Sequence, residues 1–386
     1  VKFRTERDGL LEAIATAGRA ASQRGIGVGT PSLQLTLRSD RLEVVGSDPD
    51  LVIEVSTTVA GEADGSTLVP ARLVTEIVRS FDPGTVTFLA GEDEARLSSG
   101  RAEFMVRIPA GAAITRLGPP DGEGISLPAQ LFADGLRQVV RAALTDDTRA
   151  PQLTGVLMVA TETGLRLVAT DSYRLAYRDL DGVSALEPGS EVLVPARALV
   201  EIQRLVGSGG ASASSGAQPA GGQGGGEERR LVFRHSALDA VFDLDSTRLT
   251  TRLLQVAFPQ YERLIPPSYP NQLTAGREEL TAALRRVRLI VRDAKDATPV
   301  RVSFAPEGAE LRVVTTETGQ AVEHVDGSFE GQELTVAFNP GYLLDGIEAI
   351  RTERVVIEVI DGTKPATVRG EGDDDYRYLL MPVRVS

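Results

Sequence analysis

The 386-residue chain has no cysteine and no tryptophan. Without thiols it can form no disulfide, hold no zinc–thiolate centre and use no cysteine nucleophile, and a reducing cytoplasmic setting is expected. Aromatic residues make up only 5% of the chain, which disfavours stacking of single-stranded bases. Lysine occurs only at Lys2, Lys295 and Lys364, so arginine carries nearly all of the positive charge. The two histidines, His235 and His324, stand far apart without neighbouring ligand residues, and read as structural or solvated. No run approaches the ~18 consecutive apolar residues of a membrane span. The opening Val1-Lys2-Phe3-Arg4 lacks the apolar stretch of a signal peptide. Gly-x-Ser-x-Gly, Gly-Lys-Ser/Thr and His-Glu-x-x-His are all missing, which removes the commonest hydrolase, nucleotide-binding and zinc-protease signatures. Gly25-Ile26-Gly27-Val28-Gly29-Thr30 resembles a phosphate cradle only superficially, because no lysine follows it. Asp373-Asp374-Asp375 reads as an acidic turn before the last strand, not as a cation site.

What is present is repetition. Leu68-Val69-Pro70-Ala71-Arg72-Leu73-Val74-Thr75-Glu76-Ile77-Val78-Arg79 returns as Leu193-Val194-Pro195-Ala196-Arg197-Ala198-Leu199-Val200-Glu201-Ile202-Gln203-Arg204. It returns again, more loosely, as Val336-Ala337-Phe338-Asn339-Pro340-Gly341-Tyr342-Leu343-Leu344-Asp345-Gly346-Ile347. Arg197 follows Arg72 by 125 positions; Gly341 follows Arg197 by 144, or by 124 once the Gly/Ser-rich tract 207–226 is removed. Strand-like runs ending at Asp48, Asp171 and Glu317 keep the same period. Each unit is expected to open with an amphipathic helix, over 8–21, 128–143 and 278–291. Short alternating strands such as Thr85-Val86-Thr87-Phe88-Leu89 and Val355-Val356-Ile357-Glu358-Val359 follow. The pattern predicts an α+β fold of three tandem domains, each with two helices packed on antiparallel sheets. The expected boundaries are 1–120, 121–270 and 271–386, with tract 207–226 a disordered insertion in the second domain.

A net charge of −13 argues against a nucleic-acid partner, but a sum can hide a segregated surface. Arg72 and Arg79 lie seven apart on one helix, hence on nearly the same face, and Arg197 and Arg204 repeat the spacing. Arg137 and Arg141, and the stripe Arg285, Arg288 and Arg292, add two more basic helix faces. Non-specific contacts to duplex phosphates suit such arginines. The third copy has Gly341 and Glu348 where the arginine pair would stand.

Several phrases, in order and at the period of the repeat, resemble the bacterial replicative sliding clamp, the beta subunit of DNA polymerase III. They are Leu153-Thr154-Gly155-Val156, Ala169-Thr170-Asp171-Ser172-Tyr173-Arg174-Leu175-Ala176, Phe258-Pro259-Gln260-Tyr261, Leu264-Ile265-Pro266, Phe338-Asn339-Pro340-Gly341-Tyr342-Leu343 and Leu380-Met381-Pro382-Val383-Arg384. The resemblance, of an actinobacterial kind, covers the chain outside the tract. It implies a head-to-tail homodimer forming a six-domain ring threaded by duplex DNA, cytoplasmic and nucleoid-associated, with no catalytic site, metal or cofactor. The implied partners are the polymerase alpha subunit, the clamp loader and other proteins carrying clamp-binding motifs.

The implied peptide pocket comprises Leu153, Thr170, Ser172, Tyr173, Arg174, Leu175, Pro259, Leu264, Asn339, Tyr342, Leu379, Met381, Pro382, Val383 and Arg384. The implied DNA contacts are Arg24, Arg72, Arg79, Arg149, Arg197 and Arg204, and the implied dimer contact sets Phe104 and Val106 against Val287 and Val291. Two departures stand out: the glycine-rich segment after Arg24, and Ala297 where some members carry an aromatic residue. They leave open a divergent second copy that tolerates a pocket-binding inhibitor. The other rivals are a repeated-domain scaffold without DNA function, for which the negative charge argues, and a carboxylate hydrolase, for which only Asp146, Asp147 and Asp171 can be grouped.

Overall fold

A computed structural model describes residues 1–21, 31–109, 114, 116–118, 120, 122–145, 150–212, 229–291, 298–316 and 318–384, with backbone alone for 208–212. Six α-helices are described: α1 Arg7–Gly18, α2 Ala71–Ser80, α3 Ala129–Val139, α4 Ala196–Ser212, α5 Arg277–Arg288 and α6 Pro340–Glu348. They come in three pairs, one per copy of the repeat. The first helix of each pair is shorter than its apolar stripe suggested, because i→i+3 bonds tighten the last turn. Ala20 N bonds Ala17 O, Ala143 N bonds Val140 O and Ile290 N bonds Val287 O. Each copy opens with a strand and not with the helix: Lys2–Glu6, Ile125–Pro128 and Asn271–Gly276. These strands are four to six residues long, too short for their alternation to stand out from the loops around them.

The tract corrects a second expectation. α4 runs on to Ser212, so residues 207–212 of the tract are helical. Once a helix is nucleated, each further residue adds a bond, and Arg229 Nη1 also donates to the carbonyls of Leu205 (3.3 Å) and Val206 (2.9 Å) within it. Residues 213–226 lie outside the described residues.

The chain divides into two compact units that cut across the repeat, 1–129 with 205–253 and 130–204 with 254–386. The physical reason is that sheets run across copies. In the first unit, strand Thr247–Arg252 of copy two pairs antiparallel with Leu51–Thr58 of copy one, Leu249 facing Ile53 and Thr250 facing Val52. This joint completes an eight-stranded sheet, and a separate five-stranded sheet ends at Ala102–Arg107. In the second unit, Tyr376–Leu380 of copy three pairs with Arg174–Asp181 of copy two, Leu379 facing Leu175 and Tyr378 facing Ala176, within a twelve-stranded sheet. Each helix buries its apolar stripe on a sheet, as Leu10, Ala13, Ile14 and Ala17 do in α1 and Leu280, Ala283, Leu284 and Val287 do in α5.

Candidate functional site

The joint in the second unit builds an apolar basin. Leu157, Val168, Leu175, Tyr177, Leu193, Tyr261 and Leu379 form one buried cluster, with Val159, Leu254, Phe258 and Ile265 packed against it. Leu175 and Tyr177 are two apart on one strand, so both point to the same face. The linker 254–265 folds onto that face, Phe258 meeting Tyr261 edge-on at 6.3 Å. Of the residues expected in a pocket, Leu175 and Leu379 lie on this floor, and Leu153 and Thr170 are also buried. Tyr173 (64% exposed), Leu264 (51%) and Met381 (40%) remain open to solvent. The segment after the last strand is tied down by Met381 N to Tyr173 O (2.9 Å) and Val383 N to Ala337 O (2.8 Å). Pro259 and Pro382 are half-buried and Arg384 is exposed. Sequence reasoning missed Leu157, Val168, Tyr177, Leu193, Phe258 and Tyr261. The available signal was strand alternation plus the apolar spacing of the linker.

A polar cluster of the same unit lies where the strand of Leu175 begins. Asp171 Oδ1 accepts from Tyr173 N (2.9 Å) and Arg174 N (3.0 Å), and its Oδ2 accepts from Arg174 Nε (2.9 Å). This Asx turn puts Ser172 at φ +78°. Thr170 Oγ1 donates to Arg174 O (2.7 Å). The Arg174 guanidinium then reaches α6: Nη1 donates to Asp345 Oδ2 at 2.5 Å, and the cation stacks over the Tyr342 ring at 4.2 Å. Burial pulls the Arg174 pKa down, but Tyr378, Asp345 and Asp171 outweigh it, so its net shift is upward. Burial raises the Tyr342 and Tyr378 phenols, and Tyr378 OH donates to Tyr342 O at 2.8 Å. Asn339 acts as the cap of α6, its side-chain oxygen accepting from Gly341 N (2.9 Å) and Tyr342 N (3.2 Å). With its carboxylate taken up by three donors, Asp171 is poorly placed to act as a general base. Asp146 and Asp147 lie outside the described residues.

The arginines on the second helices are partly answered by neighbouring acids. Arg72 is exposed and pairs with Glu76 at 2.9 Å; Arg204 is exposed and pairs with Glu201 at 2.6 Å. Arg79 is exposed, and no ion pair is found for it among the described residues; Arg197 is half-buried. Arg137 pairs with Asp134, Arg141 with Glu348 (3.0 Å), and Arg285 also with Glu348 (2.8 Å). Arg24, Arg149, Arg292, Ala297 and Glu317 lie outside the described residues. The acidic turn is answered too, Arg178 holding Asp373 (3.0 Å) and Arg377 holding Asp374 (3.1 Å). Among the described residues no group of three or more His, Cys, Asp or Glu side chains could hold a metal ion.

Three families match in succession along the chain: the N-terminal domain of the DNA polymerase III beta subunit over residues 1–110, its central domain over 126–260 and its C-terminal domain over 262–384. The beta sliding clamp of Streptomyces coelicolor is 31% identical over 399 residues, covering 100% of both chains. The chain belongs to the DNA polymerase III beta subunit family. Its fold is that of the beta subunit from Thermotoga maritima (TM-score 0.86, 20% identity, 100% of both chains) and of the polymerase sliding clamp from Bacillus subtilis (TM-score 0.86, 24% identity, 100% of this chain and 99% of that one).

The residues expected at the dimer contact are mostly covered within the chain itself in this beta subunit. Val106 is 4% exposed and Val287 0%, so both side chains belong to the chain's own core. Val106 faces Ala95 inside its sheet, and Val287 lies on the buried stripe of α5. Phe104 stays partly open while its ring meets Phe81 at 5.6 Å, and Val291 is half-buried. The exposed apolar side chains include Phe104 and Met105 on the last strand of copy one, and Leu289, Val314 and Val322 in copy three.

Proposed function

We propose that this beta subunit works as a sliding clamp: a head-to-tail dimer that encircles duplex DNA and holds a polymerase to it, without catalysing a reaction. The observation that carries this reading is a joint made twice and left open once. The last strand of copy two pairs with the fourth strand of copy one, and the last strand of copy three pairs with the fourth strand of copy two. The remaining pair is the last strand of copy one, Ala102–Arg107, at the edge of its sheet, and the 319–326 stretch of Gly319–Glu330 in copy three. That stretch pairs with Gly308–Thr315 on one side only, whereas 327–330 pairs with Asn271–Gly276. Open edges of this kind invite pairing with another chain. The exposed Met105 and Val322 lie one on each of these edges, and a second copy bringing one to the other repeats the internal joint. A heterologous contact that closes on itself yields a ring.

The DNA reading is supported by the exposed Arg72, Arg79 and Arg204 on α2 and α4, with Arg24, Arg149 and Arg197 as further candidates. Contacts to phosphates without base readout permit sliding. Partner peptides are assigned to the basin of the second unit, whose aliphatic floor and exposed Tyr173, Leu264 and Met381 suit apolar anchors. Polymerase, clamp loader and repair proteins are its expected clients. We place the domains at 1–120, 121–270 and 271–386, a division supported by the threefold repeat of the sequence. No described helix is long and apolar enough to cross a membrane, and we assign the protein to the cytoplasm, at the nucleoid. The full-length likeness favours this function over a non-DNA scaffold and over an inhibitor-tolerant second copy. Loading onto nicked circular DNA followed by linearisation tests it: a clamp is retained on circles and lost from linear ends, whereas retention independent of topology contradicts the reading.

A further inference from the structure

The repeat places an acid at one position of all three second helices: Glu76 in α2, Glu201 in α4 and Asp345 in α6. The first two serve an arginine of their own helix, Glu76 that of Arg72 and Glu201 that of Arg204. In α6 both arginine positions are lost, to Gly341 and Glu348. Asp345 therefore has no arginine on its own helix to hold. Its carboxylate turns to copy two instead, taking Arg174 Nη1 at 2.5 Å through Oδ2 and Arg141 Nη1 at 3.7 Å through Oδ1.

We propose that Asp345 is a positioning residue of the peptide site, fixing the Arg174 guanidinium from a different copy of the repeat. The inference rests on the pocket reading above. Asp171 holds Nε and Asp345 holds Nη1, so two carboxylates set the plane of the guanidinium while Tyr342 supports its face. No acceptor for Nη2 is found among the described residues, which leaves that edge of the fork to donate to a carbonyl of an incoming peptide. With the cation only 10% exposed, loss of one carboxylate lets the side chain swing toward its remaining partner, and the donors leave the place where a peptide meets them. Asp345 thus ties the geometry of the site to the joint between copies two and three. Glu348 serves as an internal control: it lies on the same helix and binds Arg141 and Arg285, but not Arg174.

The test uses the full chain and a fluorescein-labelled synthetic peptide bearing adjacent Leu and Phe side chains, read by anisotropy beside thermal melting. Asp345→Asn is expected to weaken binding tenfold or more, within the range of couplings between linked groups, and to change the tyrosine near-ultraviolet circular dichroism as Arg174 leaves Tyr342. Asp345→Glu is expected to restore much of the affinity. Glu348→Gln is expected to lower the melting temperature while leaving affinity within twofold. Wild-type affinity in Asp345→Asn overturns the positioning role alone, as does an equal loss in Glu348→Gln. Failure of the wild-type chain to bind the peptide overturns the pocket reading and this inference with it. Should Asp345→Asn not fold, Arg141→Gln carries the test: it leaves Asp345 to Arg174 alone, affinity is expected to hold or tighten, and a loss contradicts the proposal.

Discussion

The joint between copies one and two and the joint between copies two and three share one backbone register and carry opposite chemistry. Val52 faces Thr250 where Leu175 faces Leu379, and Glu54 faces Arg248 where Tyr177 faces Arg377. The linkers differ in the same sense. Arg116 folds onto the first joint between Glu43 (2.8 Å) and Glu54 (3.0 Å). Tyr261 folds onto the second, among Leu157, Val168 and Tyr177. The first joint closes itself with ion pairs, including Arg248 to Asp243 at 2.7 Å, whereas the second keeps an apolar floor with exposed Tyr173, Leu264 and Met381 around it. Duplication therefore supplied the strand pairing twice, and a handful of side chains decides which joint can receive a partner.

The largest expected effect follows from emptying the apolar floor. Leu379→Ala should cost about 2–5 kcal/mol of stability, the usual range for a buried leucine, and remove measurable peptide binding; calorimetry and anisotropy together check both. Retained peptide binding would show that the floor is dispensable. The matching change at the other joint is Arg116→Met. Since Arg116 and its acids are partly exposed, the expected cost is about 1 kcal/mol or less, with no change in peptide affinity. A loss of affinity in that variant would break the division of labour between the joints.

The smallest effect is in acid. Burial raises the Glu54 pKa above its ordinary 4.5, although Arg116 opposes this. Burial also pushes Glu348 upward, but Arg285 and Arg141 win and its net shift is downward. For Glu348, with a folded pKa below the unfolded one, the stabilisation is full above the unfolded value and lost as pH falls through the folded value. For Glu54 the sign reverses: its contribution is full below the unfolded pKa and lost as pH rises through the raised folded value. As pH rises, the stability difference between wild type and Glu348→Gln should grow up to about pH 4.5, whereas that between wild type and Glu54→Gln should shrink from about pH 4.5 upward. Parallel movement contradicts the assignment.

Much of this was legible in the sequence. The period of the Pro-x-Arg phrase marked three copies, and the seven-spaced arginines correctly marked the outer stripe of α2, because a helix stripe can be read from spacing alone. The opening strands were missed because four to six residues carry too little alternation to be told from loops. The burial of Val106 depends on its pairing with Ala95 across the sheet and that of Val287 on which face of α5 meets the sheet, and neither is marked by the residue itself. Asp345 looked like one more helix acid. Its partner, Arg174, is brought to it only by pairing of Tyr376–Leu380 with Arg174–Asp181, a contact across copies that no local pattern encodes.

Of the two joints within the chain, only the one between copies two and three is expected to accept a peptide. Isothermal titration of the full chain with the Leu–Phe peptide, followed by photo-crosslinking of the bound form, measures this directly. The expected result is one peptide per chain, with crosslinks at Tyr173, Leu264 and Met381. Two peptides per chain, or crosslinks around Arg116 and Glu54, would contradict it.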